Sequence, residues 1–175
     1  MGEKETGKTL LIHKFINYEG APSPNQNKEE RYKFNTTLGN KPYSIEILDT
    51  FIPEEDNQNI FDMWTSYGEG FLLVFSIDNE ETFESLNDDR ERILKSKHKD
   101  FIPMVLVGNK QDLSDKREVS YEEAKKLSDS WGVEYIETSA LNNYNCKEAF
   151  EKLVIKIASA KIKPKKSSCC NCVIF

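Results

Sequence analysis

The 175-residue chain lacks any uninterrupted apolar run of the roughly 18 residues a membrane-spanning helix needs. No basic-then-apolar segment opens it, so the expectation is a cytosolic protein. Glycine and proline are scarce, 8 and 6 residues, which excludes a collagen-like or linker-like chain. Cysteine is nearly missing from the body of the chain. Of 4 cysteines, only Cys146 lies ahead of Cys169, Cys170 and Cys172. That placement excludes a disulfide framework and shows no paired spacing of a zinc site. Basic charge is in deficit, Lys+Arg 24 against Asp+Glu 30 for a net charge of -6, so no nucleic-acid partner is expected. What remains is 38% hydrophobic and 31% charged, the profile of one globular domain with a buried core.

The basic charge that is present gathers at the end. Residues 161–175 hold Lys161, Lys163, Lys165 and Lys166 and no acid. The expected organisation is therefore one domain over residues 1–162 and a basic tail over 163–175.

Helical and strand patterns alternate along the domain. Leu11, Ile12, Phe15 and Ile16 repeat at helical spacing. Residues 31–38 and 43–48 read as strands around a Gly39-Asn40 turn, a hairpin signal. A helical piece is expected around Phe61 and Trp64. Phe71–Ile77 and Met104–Val107 are continuous apolar runs of the kind that fill strands buried on both faces. Phe83, Leu86, Ile93 and Leu94 mark a helix, Ala124, Leu127 and Trp131 another, and Val133–Ile136 a further strand. Cys146, Ala149, Phe150, Leu153, Val154 and Ile157 form the clearest helical stripe. The pattern predicts an α/β fold, a mostly parallel sheet with helices on both faces, whose ligands bind beyond the carboxyl ends of the strands.

Three short motifs carry chemistry. In Gly2-Glu3-Lys4-Glu5-Thr6-Gly7-Lys8-Thr9, two glycines five apart precede Lys and Thr. Successive N–H groups of such a loop wrap a phosphate, and the following helix adds its positive end. Gly2, Thr6, Gly7, Lys8 and Thr9 are the candidate phosphate-binding residues, with Lys8 reaching the terminal phosphates and the Thr9 hydroxyl on Mg²⁺. In Asn109-Lys110-Gln111-Asp112, directly after a buried strand, a carboxylate at Asp112 is able to accept two hydrogen bonds from guanine, a pair that adenine does not offer. Glu137-Thr138-Ser139-Ala140 again follows a strand.

In this order and spacing the motifs resemble a small GTPase of the Ras family, over roughly residues 2–162. The resemblance implies a P-loop NTPase-type fold, GTP and GDP as ligands with Mg²⁺, and GTP hydrolysis. It implies that Asn109 and Asp112 read the base while the stem of Lys110 covers it. Ser139 and Ala140 join the base site, the Ala140 amide on the guanine carbonyl. Asp49, 40 residues after Thr9, matches the acid that holds Mg²⁺ through water. Expected partners are effectors, exchange factors and GTPase-activating proteins, met by a monomer.

The chain departs from the family pattern at several places. Asp49-Thr50-Phe51-Ile52-Pro53 stands where the family has Asp-Thr-Ala-Gly-Gln. The family glycine donates to the terminal phosphate and the glutamine orients the attacking water. Proline has no donor of either kind and biases Ile52 toward extended backbone. No catalytic residue is assigned, and Glu54 and Glu55 are the substitutes to consider. Asn27 falls at the phosphate-sensing threonine, and Gly20, with Tyr18 nearby, at the aromatic that packs on the base. Lys4 and Glu5 replace a small pair and crowd an incoming arginine finger. Leu141 replaces a lysine whose stem packs on the base. Only Met1 precedes Gly2, where the family has a central strand of about seven residues. The expectation is a sheet with a gap at its centre, from a trimmed chain or a partner-dependent fold.

The last four residues, Cys172-Val173-Ile174-Phe175, read as a prenylation signal, with a terminal Phe favouring geranylgeranyl. One lipid anchors marginally, so the lysines serve as a second signal for anionic lipid, with Cys169 and Cys170 as candidate palmitoylation sites. The sequence thus predicts a lipid-anchored switch on the cytoplasmic face of the plasma membrane or an endomembrane, slow in hydrolysis. The alternative is a pseudo-GTPase, a lipidated module that binds partners without switching. An adenine-specific P-loop enzyme is disfavoured by Asp112.

Overall fold

A computed structural model describes residues 1–17, 30–50, 58–161 and 170–174, the last as backbone. The continuous apolar runs become strands β3 (Phe71–Ser76) and β4 (Met104–Asn109), and every residue of both is buried. They pair in parallel, and β5 (Glu134–Glu137) adds to β4 in parallel. Because side chains alternate along a strand, this sheet feeds two cores. Leu72, Val74, Val105 and Val107 pack toward α1 (Lys8–Ile16) and α6 (Cys146–Lys161). Phe71, Leu73, Phe75, Met104 and Leu106 pack toward α2 (Gln58–Tyr67), α4 (Leu86–Lys97) and α5 (Tyr121–Trp131). Each such side chain contributes about 1.5–3 kcal/mol by leaving water, so the two-sided burial expected of an α/β sheet is present.

The hairpin also forms. β1 (Glu30–Leu38) and β2 (Lys41–Asp49) pair antiparallel, Leu38 opposite Lys41. Gly39 takes φ 58 at the turn, a left-handed conformation that glycine adopts without steric cost. Tyr43, Ile45 and Ile47 join the α1–α6 core, and Leu48 joins the other.

Helix ends follow local chemistry. α5 starts at a capping box in which Ser120 and Glu123 each accept from the other's backbone N–H, and Gly132 ends it in a left-handed cap. The helix expected through Phe83 to Leu94 is two pieces, α3 (Glu80–Glu84) and α4, divided at Ser85. Asn79 caps the first by accepting from the Thr82 N–H.

The sheet arrangement differs from a single sheet. Among the described residues the strands form two three-stranded sheets, β1-β2-β6 and β3-β4-β5. Met1 lies along β3, its nitrogen donating to Leu72 O at 2.9 Å and its carbonyl accepting from Val74 N at 3.0 Å. A cavity of ≈ 20 Å³ is lined by Ile47 and Asp49 of β2, Leu72 and Val74 of β3, and Met1 and Phe150. β6 (Cys170–Ile174) falls in the segment expected to be a basic tail. Its backbone lies parallel to β2 with Cys172 opposite Ile45. Cys-Asn-Cys-Val-Ile has no apolar alternation, which is why strand character was not legible there. Among the described residues no helix is long and apolar enough to cross a membrane.

Candidate functional site

The site gathers where β2, β3, β4 and β5 end and α1 begins. Gly2 and Gly7 are required by shape. Gly2 has φ 126, and a Cβ there would meet Val74 O at 2.0 Å. Gly7 has φ 86, and a Cβ there would meet Asn109 Nδ2 at 2.4 Å. Any side chain at either position forces the loop away from the strand ends. Gly7 is also the N-cap of α1, so the loop delivers its amides to the positive end of a helix.

Lys8 folds back over the loop. Its ammonium donates to Gly2 O at 2.8 Å and Glu3 O at 2.6 Å. Burial pushes its pKa down, opposed by the carboxylates of Asp49, Glu3 and Asp89. Thr6 is buried and its hydroxyl donates to Glu3 O at 3.0 Å. The Thr9 hydroxyl donates to the Asp49 carboxylate. Burial pushes the Asp49 pKa up, and the Thr9 bond and the Lys8 charge pull it back. A hydroxyl and a carboxylate in contact are the hard oxygen donors that Mg²⁺ takes beside phosphate and water, so the residues present fit that ion. Among the described residues no cluster of three or more His, Cys, Asp or Glu forms another metal site.

Asn109 ties the two sides of the site together. Its side chain is 1% exposed. Its amide donates to Thr6 O at 2.8 Å, and its Oδ1 accepts from the Thr138 hydroxyl at 3.0 Å and from Ala140 N at 3.1 Å. The resemblance assigned Asn109 to the base, and the structure gives it the work of a brace between the phosphate loop and both strand-end loops. The Ala140 amide, expected on the guanine carbonyl, donates to this brace. Thr138 was quoted only as part of a motif. Its bond to Asn109 depends on a contact 29 residues away in sequence, which no local signal displays.

The remaining base-side residues converge. Lys110 is left-handed at φ 64, and its ammonium lies 3.6 Å from the Asp78 carboxylate. The Asp112 carboxylate accepts from the Ser139 hydroxyl, which also accepts from Asn142 N at 3.0 Å. Ser139 and Tyr144 exchange two backbone bonds at 3.1 and 2.9 Å, closing the loop after β5. Behind it, Arg117 donates to both oxygens of Glu137 at 2.7 and 2.9 Å, a bidentate geometry of the strong kind. Cys146 lies buried nearby, and burial pushes its thiol up to about 11, which leaves it inert as a nucleophile.

The structure therefore brings together Gly2, Thr6, Gly7, Lys8, Thr9, Asp49, Asn109, Lys110, Asp112, Ser139 and Ala140. The backbones of Cys170 and Cys172 lie instead on the edge of β2. Asn27, Gly20, Tyr18, Phe51 to Glu55 and Cys169 lie outside the described residues. One buried acid escaped the sequence reading. Asp89 is 7% exposed, and burial pushes its pKa up against the pull of the Met1 amine. It sits in the strongly charged first half of α4, where its neighbours Asp88 and Arg90 disguise it.

Comparison with known proteins agrees with this geometry. A family model for the Ras family matches residues 1–159. The Ras-related protein O-RAL of Diplobatis ommata is 38% identical over 167 residues, 95% of this chain and 81% of the relative. The Ras-related protein Ral-B of Rattus norvegicus has the same identity and coverage. The Ras-related protein Ral-a of Drosophila melanogaster is 37% identical over 168 residues, 96% of this chain and 83% of the relative. A phosphate-loop glycine pair, a helix start beneath it and a braced base side, with matches across nearly the whole chain, mean that this protein belongs to the Ras family of small GTPases, signalling switches that bind GTP and GDP with Mg²⁺.

Proposed function

We propose that the chain is a lipid-anchored Ras-type switch whose GTP hydrolysis is slow. The observation that carries the reading is an asymmetry in the sequence. The residues that hold phosphate and base are present, whereas Pro53 stands at the position of the water-orienting glutamine. In this reading Lys8 reaches the terminal phosphate oxygens, the loop amides from Gly2 to Thr9 wrap them, and Asp112 accepts from guanine. Thr9 and Asp49 would hold Mg²⁺, which neutralises charge on the phosphates. Positioning and charge stabilisation supply nearly all the catalysis in phosphoryl transfer. Without a group to place the water, turnover stays at or below about 10⁻⁴ per second.

Two measurements test the reading. The purified protein, denatured, should release GTP or GDP. Absence of any nucleotide favours the pseudo-GTPase, a lipidated module that binds partners without switching. Single-turnover hydrolysis should rise about tenfold or more when Ile52→Gly is combined with Pro53→Gln. Wild-type hydrolysis at an ordinary Ras-family rate would mean that another group, with Glu54 and Glu55 first in line, holds the water.

The anchor is part of the same proposal. Cys172 would take a prenyl chain, Cys169 and Cys170 palmitate, and Lys161, Lys163, Lys165 and Lys166 would lie on anionic lipid. Cys172→Ser should move the protein from the membrane to the soluble fraction, and replacing Cys169 and Cys170 together should do so only in part. Retention of the Cys172→Ser protein on membranes refutes prenylation as the anchor.

A further inference from the structure

The segment that carries Asp112 is fastened at both ends. It leaves β4 at Asn109 and runs through a short 3-10 helix, Gln111–Lys116. The Gln111 amide donates across to Thr138 O at 3.0 Å. The far end is Arg117. Just beyond it, the amides of Glu118 and Val119 donate to Ile77 O at 2.8 and 3.1 Å, so the chain is pinned beside the end of β3.

The Arg117 guanidinium reaches the end of β5. It donates to Val119 O at 3.1 Å and, through both terminal nitrogens, to the two Glu137 oxygens at 2.7 and 2.9 Å. Glu137 is the last residue of β5 and directly precedes Thr138, Ser139 and Ala140. Its carboxylate also accepts from the Tyr135 hydroxyl at 2.9 Å, and its carbonyl from the Asn145 side-chain amide at 3.0 Å. Room for that hydroxyl comes from Gly108, where a Cβ would meet it at 2.5 Å. The Arg117 and Glu137 side chains are 24% and 14% exposed, so solvent screens this pair less than a surface pair.

We propose that Arg117 and Glu137 are positioning residues for guanine, a clamp that fixes the Asp112 segment against the loop after β5. The proposal deepens the reading in which Asp112 accepts from guanine, and it rests on that reading. A carboxylate that accepts from both the ring N–H and the exocyclic amine has to lie near the base plane with both oxygens forward. The Ser139 hydroxyl holds one Asp112 oxygen, and a single bond leaves a pivot. The two parallel bonds between Arg117 and Glu137 leave none. They hold the chain on which Asp112 stands to the strand end from which Ser139 and Ala140 follow. The pair thus acts through Asp112 rather than on the base.

The test compares GDP with IDP, the hypoxanthine nucleotide, whose base lacks the exocyclic amine. In this reading Asp112 accepts two bonds from guanine and one from hypoxanthine. The wild-type protein should bind GDP at least about tenfold more tightly, the worth of one hydrogen bond to a charged group. Glu137→Gln keeps the shape of the side chain and loses the charge and one acceptor. It should release GDP about tenfold faster and cut the preference for GDP over IDP about threefold. Arg117→Lys keeps the charge and gives up the two-pronged geometry, so it should cut the preference as well. Urea unfolding accompanies each titration, and Arg117→Lys, which retains a cation for Glu137, carries the test if Glu137→Gln does not fold. A preference unchanged in either folded variant, even with both affinities reduced together, means that the pair supports the fold and not the base, and overturns the proposal. A wild-type protein that binds the two nucleotides equally overturns the reading of Asp112 and the clamp with it.

Discussion

Every residue of β3 and β4 is buried, whereas β1 alternates half-buried and exposed residues along its whole length. The first sheet is fixed by apolar burial on both faces and ends in the base-side loops. The second is a hairpin joined by a tail strand, and it ends in Asp49 beside the phosphate loop. The base side is thus carried by the most deeply buried part of the molecule. The phosphate side depends on a brace from Asn109, a glycine pair and one carboxylate at the end of the more lightly covered sheet. The sequence departures at Asn27 and Pro53 fall on the phosphate side, whereas the base side keeps Asn109 and Asp112 and departs at Gly20 and Leu141.

The largest expected effect is on the phosphate side. Lys8→Ala removes an ammonium placed over the loop, donating to two of its carbonyls. With two charge-assisted bonds of about 2 kcal/mol each to phosphate, nucleotide affinity should fall about a thousandfold. Lys4→Ala, at an exposed position of the same loop, should cost less than about tenfold. A fluorescent-nucleotide titration of both variants decides. Equal losses would mean that the loop register is wrong.

The next variant breaks the link between the two sides. Asn109→Ala leaves Thr6 O, the Thr138 hydroxyl and Ala140 N without their buried partner. Three bonds at about 1 kcal/mol each suggest a loss of about 3 kcal/mol in urea unfolding. Nucleotide affinity should fall too, because the phosphate loop loses its tie to β4. If stability is unchanged, the brace is replaced by water and the two sides are independent.

These residues also mark how far the sequence could be read. β3 and β4 were legible because two-sided burial leaves an unbroken apolar run. The glycine pair was legible because its spacing is fixed by backbone shape. The Asn109 brace was visible only as a motif letter, since its partners lie up to 103 residues away and chemistry at that distance has no periodicity. The break at Ser85 was hidden because Phe83, Leu86, Ile93 and Leu94 keep helical spacing across it. β6 was hidden because Cys170–Ile174 carries no sustained apolar alternation and pairs with a strand more than 120 residues away.

A smaller effect sharpens the comparison from the base side. Asp112→Asn turns an acceptor pair into one acceptor and one donor. GTP affinity should drop about thirtyfold, roughly 2 kcal/mol, and xanthine nucleotide should gain. Stability should hardly move, because an amide oxygen still accepts from Ser139. Unchanged GTP affinity in a competition titration would remove Asp112 from base reading. A large stability loss would instead place its role in the fold.

The smallest effect concerns charge around the base-covering lysine. The Asp78 carboxyl lies below its ordinary value of 3.8. Burial pushes it up, and the Ser76 hydroxyl and the Lys110 ammonium outweigh that push. The folded chain therefore binds this proton less tightly than the unfolded chain does. Its contribution to stability is complete above the unfolded value and fades as pH falls through the folded one. Wild type should exceed Asp78→Asn by about 0.5–1 kcal/mol at pH 7, and the gap should close below about pH 3. On the other sheet, Arg31 and Glu46 are 3.7 Å apart with side chains 49% and 32% exposed. Solvent screens that pair more, so Glu46→Gln should change stability by less than about 0.5 kcal/mol. Urea unfolding of the three proteins at both pH values makes the measurement. A gap between wild type and Asp78→Asn that persists at low pH would show that Asp78 acts through packing around Ser76 and Lys110, and that the base side is held by shape as much as by charge.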